Sequence, residues 1–477
     1  MKIKSKKYNQ YILLLSSFIY FIVWAQFSDL FDPIRPDSSG YLNFFAGTED
    51  GANRLSGYPI FLLVLSKLKF ELIHIGYFQL GIFVFALYYL MNSLLKFGVN
   101  KIIVALLFVG LILNPFFNQF HFTILTESLS FSFLLIFLGL ALSMYTKITN
   151  TKITIFGMMI GLLAILKPVS LIFLPIGLIY FCLLLWIFNS SFSQKIILYS
   201  ILLCAPFLII FSLEKVVFSF AHEEKGSQFT EHFYGKSILS TTYSSFGILD
   251  DGTPESQMLR LLDDEYSNDQ KYLESIEDLS EKLAIYSLLE NDAYKYPSLE
   301  DELVFIASGY GLEPIEFKRS IVFYSLKNNP TVFLRMMFRH YFSFFNVYPS
   351  GKYFNENGSP QHLINKEIDF SPSTTKVIVH NIFLIFGAIF YLCSILIFIK
   401  FFYLLFQKSF LNYIRDKPLY LLALLLTILI HSIHFSHALF GVYVPRYLMF
   451  SYPYIILLEL IIIFQLLKNK KFRFNNS

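Results

Sequence analysis

Long apolar runs separated by short polar turns set the rhythm of this 477-residue chain. A run of roughly 20 apolar residues, at about 1.5 Å of rise each, crosses a hydrocarbon core about 30 Å thick. Read this way, the chain predicts membrane helices over residues 11–27, 73–95, 102–114, 128–145, 153–166, 169–188, 196–213, 377–402, 419–435 and 448–467. Residues 58–69 carry apolar positions at amphipathic spacing and predict a helix lying at the interface. Two stretches break the rhythm. Residues 29–59 form a charged loop directly after the first apolar run. Residues 214–375 form a 162-residue polar segment with helical spacing over 254–289, 299–307 and 314–326 and no clear run of strands. Residues 331–345, aromatic and basic, predict a helix on the membrane surface leading into the next span.

The pair 153–166 and 169–188 reads either as two spans or as one span broken at Lys167-Pro168. Charge decides between them. Lys2, Lys4, Lys6 and Lys7 precede the first run, Lys96 and Lys101 flank one turn, and Lys147 and Lys152 another. With two spans, Lys400, Lys408, Arg415, Lys417 and the tail Lys468, Lys470, Lys471 and Arg473 fall on that same side, as the excess of cations in cytoplasmic loops requires. One broken span would move them all outside. The expected fold class is therefore an all-α polytopic membrane protein of about ten transmembrane helices, with both termini cytoplasmic and Lys167 near the outer surface. Residues 1–213 make a transmembrane module with loop 29–59. Residues 214–375 make a mainly helical soluble outer domain between helices 7 and 8, and residues 376–477 carry helices 8–10. The first run lacks a small-residue cleavage site before Asp29 and is read as a retained helix. The localisation this implies is a multi-pass cell (inner or plasma) membrane.

Composition sharpens this picture. The chain is 55% hydrophobic and only 15% charged, against about 25% charged in an average soluble domain. Of its 34 acids, 25 lie in residues 214–375 and five (Asp29, Asp32, Asp37, Glu49, Asp50) in the first loop. Cys182, Cys204 and Cys393 all fall in apolar runs and imply no disulfide framework. The aromatic and lysine residues are dispersed through membrane segments, which argues against nucleic-acid binding. No nucleotide-phosphate loop or zinc-finger spacing is present.

The first loop holds more charge than a connection between two helices needs. Asp37 leads the candidates: a carboxylate at the membrane surface suits general-base work on an acceptor hydroxyl. Pro36-Asp37-Ser38-Ser39 also reads as a helix start, with Asp37 as its cap. Asp32 and Asp29 are the fallback carboxylates. Arg35, Arg54, Lys167 and Arg446 are the outer-face cations nearest the membrane, suited to a leaving lipid phosphate. Snorkelling to lipid headgroups is the structural alternative. Glu127 starts the helix over 128–145, where a carboxylate meets the helix dipole, and an acid so near the bilayer is also a functional candidate. Glu459, inside the last helix, reads as a neutral structural glutamate. His431, His434 and His437 recur every three residues. Such spacing can bring two imidazoles, above all His434 and His437, to one divalent metal, though lining a helix is the commoner use. No other cofactor is implied.

Several of these residues sit in stretches that resemble one family. Asp37-Ser38-Ser39-Gly40-Tyr41-Leu42 followed by Arg54-Leu55-Ser56-Gly57-Tyr58-Pro59 resembles the first outer loop of the GT-C superfamily, membrane glycosyltransferases that use polyprenyl-phosphate-linked sugars. Thr126-Glu127-Ser128-Leu129 resembles the threonine–glutamate turn before the fourth helix. GLLAILKPVSLIFLP over 161–175 resembles the family's Arg-Pro helix break, with Lys167 in the arginine's place. Val444-Pro445-Arg446-Tyr447 before Tyr452-Pro453 resembles the Arg-Tyr start of a late helix. Residues 214–375 match none of these motifs.

The resemblance implies an inverting transfer on the outer face. Asp37 would activate a hydroxyl or amine of a lipid, glycan or protein acceptor for attack on the anomeric carbon. The departing polyprenyl phosphate would meet Arg446, Lys167 or Arg54. Glu127 joins Asp37 as a catalytic residue, and Tyr41, Tyr58, Tyr447 and Arg35 join the substrate-binding set. Two other readings remain. An O-antigen-type polymerase or ligase shares the many spans and large outer loop but usually lacks an acidic motif after the first helix. A lipid or sugar transporter would more often show inverted repeats and charges at mid-membrane.

Overall fold

The computed structural model describes residues 2–28, 33–35, 37–48, 51, 54–188, 192–222, 251–261, 275, 277, 297–328, 330–343, 374–407, 410–439 and 448–474. All regular structure among them is helical. The chain divides into two compact units. One holds residues 1–225, 390–433 and 449–477; the other holds 226–389 and 434–448.

Helices α1 (Lys2–Ala25), α2 (Ser38–Leu42), α3 (Gly57–Lys67), α4 (Leu72–Phe97), α5 (Lys101–Ile112), α6 (Glu127–Thr146), α7 (Asn150–Leu166), α8 (Phe173–Ile187) and α9 (Phe192–Ala221) build the first unit. Among the described residues of the whole chain, six helical stretches are long and apolar enough to cross a membrane: Leu72–Phe97, Glu127–Thr146, Pro168–Ile187, Ile196–Ala221, Ile385–Leu405 and Pro418–Ala438. Tyr11–Ala25, Gly57–Lys67, Lys101–Ile112, Asn150–Leu166 and Phe450–Gln465 are apolar but shorter. This composition suggests a lipid bilayer as the surroundings of the bundle.

Packing follows the sequence closely. α4 lies along α6, and α7 lies along α9. A Cβ at Gly157 would collide with the Leu203 carbonyl oxygen, and one at Gly161 would stand 3.0 Å from the Ile210 side chain. Small residues four apart bring the two backbones together. At Lys167-Pro168 the chain reverses. Proline disfavours helical backbone in the residue before it, and Lys167 is extended (φ −145°, ψ 123°). A 3₁₀ turn, Pro168–Ile172, then feeds α8. A Cβ on Gly177 would lie 3.0 Å from Phe156 and 3.1 Å from Ile160, so α8 runs back along α7 instead of extending it.

The two ends of this bundle differ in chemistry. At one end the rings of Phe97, Tyr145 and Phe188 meet, and the Tyr145 hydroxyl donates to the Arg415 carbonyl. Lys152 donates to the carbonyls of Ser143 and Lys147 there. At the other end, the starts of α2, α3 and α6 meet the ends of α7 and α9.

The second unit contains a helical stretch over residues 254–261, then α10 (Pro297–Gly309), α11 (Pro314–Asn328) and α12 (Pro330–Ser343). Each of α10 to α12 packs on the next, around buried Leu303, Ile306, Ala307, Phe317, Ile321 and Met337. The Asp251 carboxylate accepts from Thr253 and from the Tyr324 hydroxyl, tying the first stretch to α11. α13 (Thr374–Leu405), α14 (Phe410–Asp416), α15 (Pro418–Leu439) and α16 (Leu448–Phe474) complete the chain.

One boundary differs from expectation. The helix predicted to stop at residue 213 continues to Ala221. Its polar continuation, Glu214-Lys215, marks a change in hydropathy but consists of good helix formers, so Glu214 belongs to α9 and to the first unit.

Candidate active site

The charged loop is docked, not loose. The Ile124 amide donates to the Pro33 carbonyl, and the Ser38 hydroxyl donates to the Ile124 carbonyl at 3.0 Å. Ser38 is fully buried. Its oxygen also accepts from the Arg35 amide at 2.9 Å. These bonds fix the start of α2 against the turn that precedes α6.

Asp37 occupies the position before α2 but does not cap it. Its backbone is already helical (φ −75°, ψ −13°) and its side chain makes no cap bond, whereas a capping residue has extended backbone and an accepting side chain. The carboxylate instead takes a 2.8 Å bond from the Arg54 guanidinium. Arg54 lies 5.1 Å from the Tyr41 ring centre, and Tyr41 meets Tyr58 edge to face at 5.1 Å. The side chains of Arg54 and Asp37 keep 23% and 30% exposure, so a substrate can reach them.

Tyr58 anchors the inner side. It is fully buried in a cluster with Leu62, Leu65, Ile75, Ile124, Leu129 and Leu166, not at a surface. Its hydroxyl donates to Gln79 at 3.0 Å, and the Gln79 amide donates to the carbonyls of His121 and Thr123. Burial pushes the Tyr58 hydroxyl well above its usual pKa, and Tyr41 and Glu127 push the same way. It is therefore a neutral donor. Gly57 fits because a Cβ there would stand 2.6 Å from the Ile165 carbonyl oxygen.

Glu127 and Lys167 form a second ion pair at 2.9 Å. Their side chains keep only 3% and 11% exposure, so Lys167 is a cation buried within the protein. Its ammonium also lies 4.0 Å from the centre of the Phe450 ring, which brings the start of α16 to the site. Glu127 is the first residue of α6, so its charge faces both the helix dipole and Lys167. Behind it, His121 Nδ1 and the Ser128 hydroxyl are 2.8 Å apart. Burial lowers the His121 pKa to about 3, so the ring is neutral.

Sequence reasoning missed Glu214. Its carboxylate accepts from the Ser56 amide at 3.0 and 3.1 Å and from the Ser56 hydroxyl, two residues from Arg54. Only an unexplained acid at the end of an apolar run hinted at it. Among the other candidates, Arg35 contributes backbone bonds to Ser38. Asp29, Asp32, Arg446 and Tyr447 lie outside the described residues. His434 and His437 are buried in α15, and Glu459 in α16. Among the described residues, no three histidine, cysteine or acidic side chains stand together as a metal site would require.

An open apolar groove of about 420 Å³ runs along α4, lined by Tyr77, Phe78, Gly81, Ile82 and Phe85. Phe78 and Ile82 also pack on the Tyr58 cluster, as does Tyr41. The groove therefore adjoins the polar site. Chemically, the described residues at this end of the bundle offer a reachable carboxylate, a reachable guanidinium, a braced aromatic floor and an apolar channel beside them. No protein-family model, curated protein or solved structure matches this chain.

Proposed function

We propose that this chain is an integral membrane glycosyltransferase that moves a sugar from a polyprenyl-phosphate donor to an acceptor on the extracytoplasmic face, with inversion. The observation that carries the reading is the Asp37–Arg54 pair, set in a docked loop at the end of the bundle away from its lysine-rich turns. Asp37 takes the proton of the acceptor hydroxyl or amine as that atom attacks the anomeric carbon. The bond from carbon to phosphate oxygen breaks, and the phosphate leaves with its negative charge. Arg54 meets that charge. The reading takes the buried Glu127–Lys167 pair as the brace behind the site. The apolar groove along α4 suits the isoprenoid chain of the donor.

In this reading the bundle has ten spans. Lys101–Ile112, Asn150–Leu166 and the apolar parts of α1 and α16 supply the other four spans. Both termini are cytoplasmic, and the segment between α9 and α13 forms the outer domain. Nucleotide sugars are not supplied on that face, which favours a lipid-linked donor. The test is purified protein in liposomes with polyprenyl-phosphate sugars of several head groups and a panel of lipid, glycan and peptide acceptors, read by mass. Transfer that disappears in Asp37→Asn supports the reading. Movement of intact lipid-linked sugar across the bilayer without transfer would replace it with a transporter.

A further inference from the structure

Glu214 spends its hydrogen bonds on one residue. It is 6% exposed, on a helix whose other face is apolar, and a carboxylate there is tolerable only if fully bonded. Both donors that Glu214 is seen to meet, the backbone amide and the hydroxyl, belong to Ser56, 158 positions earlier. Ser56 is itself fully buried and stands before the first residue of α3. A serine there commonly accepts a bond from the helix amides; this one makes no cap bond and donates to Glu214 instead. The chain segment Arg54–Leu55–Ser56 is thus fixed at its inner end by Glu214, at Gly57 by contact with Ile165, and at Tyr58 by burial.

We infer that Glu214 is a positioning residue: by holding Ser56 it aims the Arg54 guanidinium at Asp37 and at the departing phosphate. This rests on the glycosyltransferase reading for the phosphate, but not for the clamp on Ser56. The Asp37–Arg54 bond alone does not place Arg54, because both side chains are partly exposed and an exposed ion pair holds its partners weakly. The backbone that carries the donor-side cation is thus held from α9 through Ser56, while the Tyr41 ring 5.1 Å away faces the guanidinium.

Two measurements test it. In amide hydrogen exchange of the full-length protein in detergent, Glu214→Ala accelerates exchange in peptides spanning residues 51–58, and Glu214→Gln, which keeps one accepting oxygen, does so less. Unchanged exchange in Glu214→Ala overturns the clamp, whether or not the chain transfers sugar. The second is a double-mutant cycle on binding of a short-chain polyprenyl phosphate. Glu214→Ala and Arg54→Ala each weaken binding, by about 10-fold or more for removal of a placed cation. In the double variant Glu214→Ala adds less than about 2-fold, because there is no guanidinium left to place. Losses that multiply instead show a general structural role and overturn the inference. A wild-type protein that does not bind the lipid phosphate refutes the donor assignment alone, and the exchange result then decides the clamp by itself.

Discussion

The Arg54 guanidinium stands 2.8 Å from the Asp37 carboxylate, across 17 positions of a single loop. The pair is partly exposed, while its surroundings are fixed: Ser38 to Ile124, Ser56 to Glu214, and Tyr58 to Gln79. In the proposed transfer the same cation would meet the departing phosphate.

Asp37→Asn separates catalysis from structure. Asp37 makes no cap bond, and an ion pair this exposed contributes about 0–1 kcal/mol. The melting temperature in detergent should hardly move. Turnover should fall about 10²–10⁴-fold, the usual contribution of a general base. Near-normal turnover removes Asp37 from the chemistry.

The Glu127–Lys167 pair should behave in the opposite way. Removing one partner strands a buried charge, at a cost of about 3–5 kcal/mol. Lys167→Ala and Glu127→Ala should each lower thermal stability clearly, whereas Lys167→Arg keeps a cation and should cost less. Replacing both with Lys167→Met and Glu127→Leu should recover most of the stability, because neither charge is left unpaired. Melting curves on the four proteins decide it.

Gly57→Ala tests the docking of α3. The new methyl carbon would stand 2.6 Å from the Ile165 carbonyl oxygen, a backbone atom that cannot swing aside. Overpacking of this kind costs about 1–3 kcal/mol. The shift of α3 should also carry Arg54 away and reduce turnover. A fully stable, fully active variant would show that the contact is not maintained.

His121 predicts an acid limb in the stability curve. Its pKa falls from an ordinary 6.5 to about 3 on folding, so between those pH values the unfolded chain binds a proton that the folded chain does not. Stability from this group is complete above pH 6.5 and is lost as pH falls toward 3, by up to about 1.4 kcal/mol per pH unit. His121→Gln cannot titrate and can still bond Ser128. It should lose less stability than wild type between pH 7.5 and pH 5.

The sidedness proposed for the second unit is tested by a cysteine at Gln257, an exposed position beside the buried Ser256. Labelling by an impermeant thiol reagent in intact cells, or in spheroplasts, is expected. Labelling only after the inner membrane is opened would invert the whole arrangement and put Asp37 on the wrong face for its donor.

What acts within one or two turns of chain is legible in the residues alone. Apolar run length marked the helices of the bundle, and Pro168 ended α7 at Lys167 because proline constrains its predecessor. The run of acids in the first loop marked the segment that would carry Asp37 and Arg54. The partners of the charged side chains follow from packing. Whether Asp37 caps α2 or faces Arg54, and that Lys167 is neutralised by Glu127 40 positions away, depend on how helices close on each other. Glu214 is the clearest case. In sequence it is a polar residue at the end of an apolar run, indistinguishable from a membrane boundary. Its role exists only because α9 continues past that boundary and brings the carboxylate to Ser56. Propensity and hydropathy are local energies, whereas a buried charge finds its partner by packing.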